Sequence, residues 1–230
     1  MPKSQAYALA LLKHYFQNLA IVNVGDAPGL LPAGTVGSLY VALHTADPGK
    51  TGDQTTNEAA YTGYARVGVV RSAAGWTCAG TPIPTSVNAA AVNFAPCTGG
   101  ASTVGWFSVG VAAAGASVFG YSGQFSTTLY DGVANVSDTL TIPGNPFVVN
   151  DTLVFSVDNG EAIPAGITAG TIYFVKTSAG NDITISATLG GAQLDVTAAS
   201  VFTVGKIATL AISNGITPSF AIGALVMAED

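Results

Sequence analysis

SLYVALHTADPGKTGDQTTNEAAYTGYARVGVVR, residues 38–71, decides how the rest of the chain is read. From Ser38 to His44 the side chains alternate, with Leu39, Val41 and Leu43 on one face and Tyr40, Ala42 and His44 on the other. A period of two is the signature of a β-strand. Thr45 to Ala60 is polar and turn-forming, a long surface loop in which Pro48 and Gly49 make a sharp turn. Tyr64 to Arg71 resumes as a second strand. Arg66 either pairs with Glu58 or Asp53, pinning the loop to its strand, or points to solvent.

Upstream, one helix is expected. Ser4 is its N-cap, and Ala8, Leu11, Leu12, Tyr15, Phe16 and Leu19 recur at spacings that form one apolar stripe. Pro28, Pro32 and several glycines end it before a proline-rich arm at residues 20–37. Downstream, short β runs at Val87–Phe94, Thr103–Gly110 and Ser117–Phe125 are parted by Gly, Ser or Pro. No amphipathic helices intervene, so a sandwich or barrel is expected rather than a βαβ fold. Trp76, Trp106 and Phe107 are anchors either of the core or of a subunit contact.

Near Asp131 the composition shifts. Shorter Thr/Ile/Val-rich runs follow at Thr152–Val157, Thr171–Lys176, Asp182–Ala187 and Gln193–Val196. Asp158-Asn159-Gly160, Pro164-Ala165-Gly166, Ala179-Gly180-Asn181 and Gly190-Gly191 connect them with good turn chemistry. Lys206 to Asp230 returns to two strands, IATLAIS and SFAIGALVM, joined at Asn214-Gly215. The expected fold is therefore mainly β: a β-sandwich or barrel-like domain with an N-terminal helix and arm, residues 1–135 together with 206–230, and an inserted small all-β domain at residues 136–205.

Composition excludes several functions. Hydrophobic residues make up 49% of the 230 and charged residues 9%, against a usual charged share of ~25%, which rules out disorder. So few charges cannot coat a solitary soluble domain, and much of the surface is expected to lie against neighbouring subunits. Net charge is −6, with the cations Lys3, Lys13, Lys50, Arg66, Arg71, Lys176 and Lys206 scattered along the chain. Nucleic-acid binding needs clustered cations, so no nucleic-acid partner is expected. No membrane partner is expected either, since a negative protein is repelled by an anionic surface. Residues 1–20 are interrupted by Lys13, His14, Gln17 and Asn18 and read as neither a targeting signal nor a span.

Chemistry-bearing residues are sparse. His44 stands beside Asp47, a pairing that invites a hydrolase reading, but no G-x-S-x-G elbow is present, and a histidine bonded to its own loop is favoured. His14 falls on the polar side of the helix. Asp47, Asp53, Asn57 and Glu58 supply oxygens without the spacing of an EF-hand. Asp151, Asp158 and Glu161 read as turn and solubility residues. Gly99-Gly100 and the run 110–115 precede no helix, which disfavours phosphate binding. Cys78 and Cys97 allow one bridge but no framework, and free buried or half-buried thiols are expected. Aromatic side chains leave carbohydrate binding open. No catalytic, cofactor-binding or metal-binding residues are assigned, and no cofactor is expected.

Residues 39–69 resemble the signature of a family of tailed-phage virion proteins labelled tail fibre or minor structural proteins. The resemblance rests on Leu39–Thr45, Ala46–Gly52, Asn57–Glu58 and Gly63–Arg66. TVGWFSVGVAAAGASVFGYSGQF, residues 103–125, and NGITPSFAIGALVMAED, residues 214–230, are similar to the family's later strands. The segment around residues 164–175 is similar to a small β module of phage virion proteins. The resemblance implies a non-enzymatic structural protein of the virion. Within that class the expectation is a capsid decoration or cement protein that bridges and stabilises the major capsid protein and contacts copies of itself as a homo-oligomer on the capsid surface. The alternatives are a tail fibre or baseplate-associated protein and a host-glycan binding module.

Overall fold

The computed structural model describes residues 3–81, 83–135, 137–156, 163–168, 171–197 and 200–229. Val136, Val157, the turn Asp158-Asn159-Gly160 and Glu161 lie outside the described residues. The fold is mainly β, as expected, with one helix at the front and a small six-stranded barrel among several sheets. Contacts divide it into two compact units, Met1–Gln124 with Leu210–Asp230, and Phe125–Thr209.

The first unit opens with helix α1, Gln5–Gln17. Ser4 caps it, its side chain accepting from the Tyr7 backbone N–H, and Asn18 ends it in the left-handed region at φ 55°. Ala8, Leu12 and Phe16 are the buried members of the stripe. Leu19 is exposed, because the helix has already stopped: the Asn18 amide turns to clasp the backbone of Ala33 through two hydrogen bonds of 2.9 and 2.8 Å. The strands follow in order: β1 Ser38–His44, β2 Val67–Val70, β3 Trp76–Ala79, β4 Thr85–Asn88, β5 Val92–Asn93, β6 Ser102–Val104, β7 Trp106–Gly110 and β8 Phe119–Gln124. Two of the expected runs are split. Residues 87–94 break into β4 and β5, and residues 103–110 break at Gly105.

The second unit holds β9 Ser126–Ala134, β10 Leu140–Thr141, β11 Thr152–Ser156, β12 Ile172–Ala179, β13 Asp182–Ser186 and β14 Ser200–Ile207. They close into an antiparallel barrel in the order β10-β13-β12-β11-β14-β9. The compositional shift at Asp131 falls inside β9. Gln193 contributes only an isolated bridge to Ser186 rather than a strand. The chain then returns to the first unit as β15 Leu210–Ile212, β16 Ser219–Phe220 and β17 Val226–Ala228. These do not pair with one another; they pair with β6, β5 and β4 respectively. No described helix is long and apolar enough to cross a membrane.

In the first unit β1 lies between β2 and β7, and β7 pairs with β8, all antiparallel. One face of this sheet meets aromatic side chains. Tyr121 of β8 packs on Tyr15 and Phe16 of α1, and Phe16 packs on Trp76, with ring centroids 5.5, 5.1 and 4.8 Å apart. Phe107 meets Phe220 at 5.9 Å. Arg71 donates to the carbonyls of His14 and Tyr15, satisfying the last turn of α1. Trp76, Trp106 and Phe107 are all buried in the core. Cys78 is half-buried, Cys97 is buried, and both are free thiols.

Candidate functional site: a sheet face under a polar loop

The opposite face of that sheet is set by register. Tyr40, Ala42 and His44 of β1 stand across from Gly110, Ser108 and Trp106 of β7. On β8, Ser122 and Gln124 stand across from Ser108 and Trp106, and Phe119 from Gly110, with Gly120 left as an unpaired bulge. Because Ser108 and Gly110 share a face, so do Ser122 and Phe119. Residues 45–60 fold back over this face rather than waving in solvent.

A connected set of polar side chains seals the loop down. His44, Gln54 and Ser108 are fully buried. The His44 ring is 2.8 Å from the Thr56 carbonyl through Nδ1 and 2.8 Å from the Ser108 hydroxyl through Nε2. Nδ1–H therefore donates to the loop carbonyl, which has no proton to give, and Nε2 accepts from Ser108. Gln54 donates to the Tyr40 carbonyl at 2.9 Å and to the Ser108 hydroxyl at 3.2 Å, and it accepts from Ser117 at 2.8 Å. Its amide sits where Gly110 has no side chain; a Cβ there would lie 2.2 Å from the Gln54 Cδ.

Arg66 anchors the other end. Its Nε and Nη2 donate to the two carboxylate oxygens of Glu58 at 2.7 and 2.8 Å, a bidentate pair. Its remaining N–H groups reach the carbonyls of Ala112 and Gly115 and the oxygens of Ser117 and Gln54, so the 111–118 turn is tied to the same guanidinium. Tyr64 donates to Glu58 at 2.9 Å and accepts from the Leu43 backbone at 3.0 Å. Burial pushes the Tyr64 phenol far up, so it stays a donor. The Glu58 hydrogen bonds raise the Arg66 guanidinium, keeping it charged.

Of the alternatives for Arg66, the structure has Glu58. Asp53 instead accepts from the Thr55 backbone at 2.7 Å and from the Thr55 hydroxyl, and those bonds hold its carboxyl below the usual range. His44 and Asp47 do not pair: Asp47 Oδ1 accepts from the Gly49 N–H at 2.9 Å. Thus Asp47, Asp53, Asn57 and Glu58 each turn to separate protein partners. Among the described residues no group of three or more His, Cys, Asp or Glu is placed to hold a metal ion.

Next to the network, the turn at 47–50 and strands β7 and β8 enclose a cavity of about 420 Å³ lined by Asp47, Gly49, Lys50, Trp106, Phe119, Gly120 and Ser122. Sequence reasoning assigned no role to Gln54, Ser108, Ser117, Lys50, Phe119 or Ser122. The available signal was Ser108, a lone hydroxyl in the run WFSVG at 106–110 with the parity of Trp106.

A family model described as Podophage GP4 fiber I protein gp80 matches residues 3–148, more than half of the chain. The chain belongs to this family. It is a virion structural protein of the tailed-phage fiber type. The match spans the whole of the loop-covered sheet and runs on into the first strands of the barrel. No curated protein and no solved structure matches.

Proposed function

We propose that this chain is a non-enzymatic structural subunit of the phage fiber or of the tail parts that carry it. The family match over residues 3–148 carries this reading. The capsid cement expectation has surface composition behind it alone, and low charge suits any subunit covered by neighbours. A structural role is supported by the state of the Ser108–His44 pair. Both residues are sealed from solvent, and the second histidine nitrogen meets a backbone carbonyl rather than a carboxylate.

The partners are other virion proteins and further copies of this chain. Supporting this, the arm bridged at Ile21 and Leu30 exposes Val22 at 62% within the bridged turn and Leu31 at 65% just after it, apolar surface of the kind that neighbours cover. The barrel is best explained as an inserted domain. Its first and last strands, β9 and β14, pair along their length, and Ala208 donates to the Phe125 carbonyl at 2.8 Å, so the chain comes in and goes out side by side.

Gold-labelled antibody on intact particles tests the placement. Label on the tail or its fibers is expected; label spread over the capsid surface would overturn the fiber reading in favour of cement.

A further inference from the structure

We propose that the Ser108 hydroxyl and the Gln54 carboxamide join in an internal ester, with loss of ammonia, and that this bond fastens the 45–60 loop to β7. The hydrogen-bonded network described above is the state before reaction. It holds the parts of an acyl-transfer site, with both reactants supplied by the chain itself.

Ser108 is the nucleophile. Its hydroxyl lies 2.8 Å from the His44 Nε2, and the His44 Nδ1–H is taken up by the Thr56 carbonyl at 2.8 Å, so Nε2 stands as a base facing the hydroxyl proton. Burial holds His44 below its ordinary value, which keeps the imidazole neutral and able to take that proton. Gln54 is the electrophile. Its Nε2 lies 3.2 Å from the same hydroxyl oxygen, and the carbonyl carbon Cδ is one bond beyond. Its Oε1 accepts from the Ser117 hydroxyl at 2.8 Å and from the Arg66 Nη1 at 3.4 Å. Two donors, one of them a guanidinium held in place by Glu58, therefore meet the oxygen on which negative charge gathers when Oγ adds to the carbonyl. Gly110 makes room: a Cβ there would lie 2.2 Å from the Gln54 Cδ, so the carboxamide rests on the β7 backbone one same-face position along from Ser108. His44, Gln54 and Ser108 are all fully buried, which keeps water from competing with the hydroxyl and from hydrolysing the product.

The step balances without an oxidant or reductant. The terminal torsion of Gln54, a soft one, turns the face of its carbonyl toward Oγ and releases the Tyr40 carbonyl. Oγ bonds to Cδ as its proton passes to the His44 Nε2. The C–N bond then breaks; the nitrogen leaves with the electron pair, takes the proton back from Nε2 and departs as ammonia. Protonation and dilution of ammonia in the solvent draw the exchange forward. The reaction runs once per chain, so the chain remains a structural protein and not an enzyme. Neither cysteine offers a comparable pair: the Cys97 thiol donates to the Gly99 carbonyl at 3.3 Å and the Cys78 thiol to the Ser86 hydroxyl at 3.5 Å. Both are free, so no disulfide ties this loop down, and an ester between positions 54 and 108 constrains the unfolded chain as a disulfide does elsewhere.

Mass spectrometry of the full chain, folded at neutral pH for several days and then unfolded in acid, tests this. A species lighter than the sequence mass by one ammonia, about 17 Da, is expected, either complete or growing with time. Trypsin cuts after Lys50, Arg66, Arg71 and Lys176, so the two residues fall in separate peptides, 51–66 and 72–176. These are expected to emerge as one linked species that mild alkali splits, leaving a carboxylate at position 54. Ser108→Ala and Gln54→Met are each expected to keep the full mass. The reading on the unaltered chain stands whether or not those variants fold. A full mass after the incubation, a loss of ammonia that maps to Asn214-Gly215 instead, or a loss that persists in either variant overturns the proposal. The inference does not rest on the fiber reading, and particle labelling reads a different property, so the failure of either leaves the other standing.

Discussion

The barrel and the loop-covered sheet face are closed by opposite means. The barrel closes on itself, which leaves no strand edge, and fills its interior with apolar residues that include Phe147, Phe155, Phe202 and Leu153. Phe155 stands edge-on to both Tyr173 and Phe202, with centroids 5.8 and 5.3 Å apart. The sheet face under residues 45–60 is closed instead by hydrogen bonds among His44, Gln54, Ser108, Glu58, Tyr64, Arg66 and Ser117. Apolar packing constrains volume and tolerates exchange among apolar side chains of similar size. A polar network constrains chemistry and direction, and it fixes a long loop in one register where packing alone leaves it free to slide. In a chain with so few charges, Arg66 and Glu58 stand at the point where that direction matters most.

The largest effects are expected where each closure is broken outright. Arg66→Met takes from the Glu58 carboxylate both guanidinium hydrogen bonds, leaving it only the Tyr64 hydroxyl, removes the Arg66 hydrogen bonds to the carbonyls of Ala112 and Gly115, and is expected to cost about 3–5 kcal/mol in chemical denaturation. Phe155→Ala, which opens a cavity in the barrel, is expected to cost about 3–5 kcal/mol as well. The two differ in repair. Adding Glu58→Gln to Arg66→Met removes the stranded charge, so the double variant is expected to be more stable than the sum of the two single losses. A strictly additive pair would mean that the network does not act as a unit.

Intermediate effects come from close approach at two glycines. At Gly110 a Cβ would strike the Gln54 amide, and at Gly132 it would lie 2.5 Å from the Phe202 ring. Alanine at either position is expected to cost about 1–3 kcal/mol through overpacking. Phe202→Leu should recover part of the loss at Gly132, since the conflict there is one of volume. Gln54→Ala should not recover the loss at Gly110, because it removes the side-chain donor to the Tyr40 carbonyl and one hydrogen bond from each of the hydroxyls of Ser108 and Ser117. Recovery at Gly110 would dissolve the contrast between the two closures.

Parts of this were legible in the residues. The alternation of SLYVALH gave β1 its bounds, Ser4 marked the start of the helix, and the scarcity of cations made Arg66 a candidate partner for Glu58. The inward side of the 45–60 loop was not legible. Gln54 and Thr56 are polar, and polarity reads as surface unless the buried donors they serve are already known. The strands β9, STTLYDGVA, and β14, SVFTVGKI, carry Thr, Ser, Gly and a charge among their apolar residues, so a search for apolar runs passes over them. The cavity beside the 47–50 turn was hidden for another reason. Lys50 and Ser122 are far apart in sequence, and the bulge at Gly120 that turns Phe119 to the side of Ser122 is a property of register, not of composition.

The smallest and most selective effect is a pH dependence that belongs to one closure alone. Both histidines, His14 and His44, lie in the first unit, and the barrel has none. Burial pulls His44 below its ordinary value, against the opposing pull of the Thr56 carbonyl and of Glu58. An unfolded chain binds that proton near pH ~6.5, while the folded chain resists it until the pH is lower. Between those two points the unfolded state holds more protons, so stability rises with pH across the window and is lost as pH falls through it. Glu229 and Asp53 act in a separate, lower window. Burial works to raise Glu229, but hydrogen bonds from Tyr121 and Lys3 overcome it and hold the carboxyl down, as the Thr55 bonds do for Asp53. Their contribution is therefore present above the ordinary carboxylate range and fades only below it. Lowering the pH from about 7.5 to about 5.5 thus isolates His44 among these groups. Protection of the amides of β1 and β7, measured relative to the base-catalysed intrinsic exchange rate, is expected to fall over that interval while protection in β11, β12 and β14 holds steady, and His44→Gln should flatten the response. Equal loss of protection in both sets of strands, or an unchanged slope in the variant, would show that the loop is not held through the neutral imidazole.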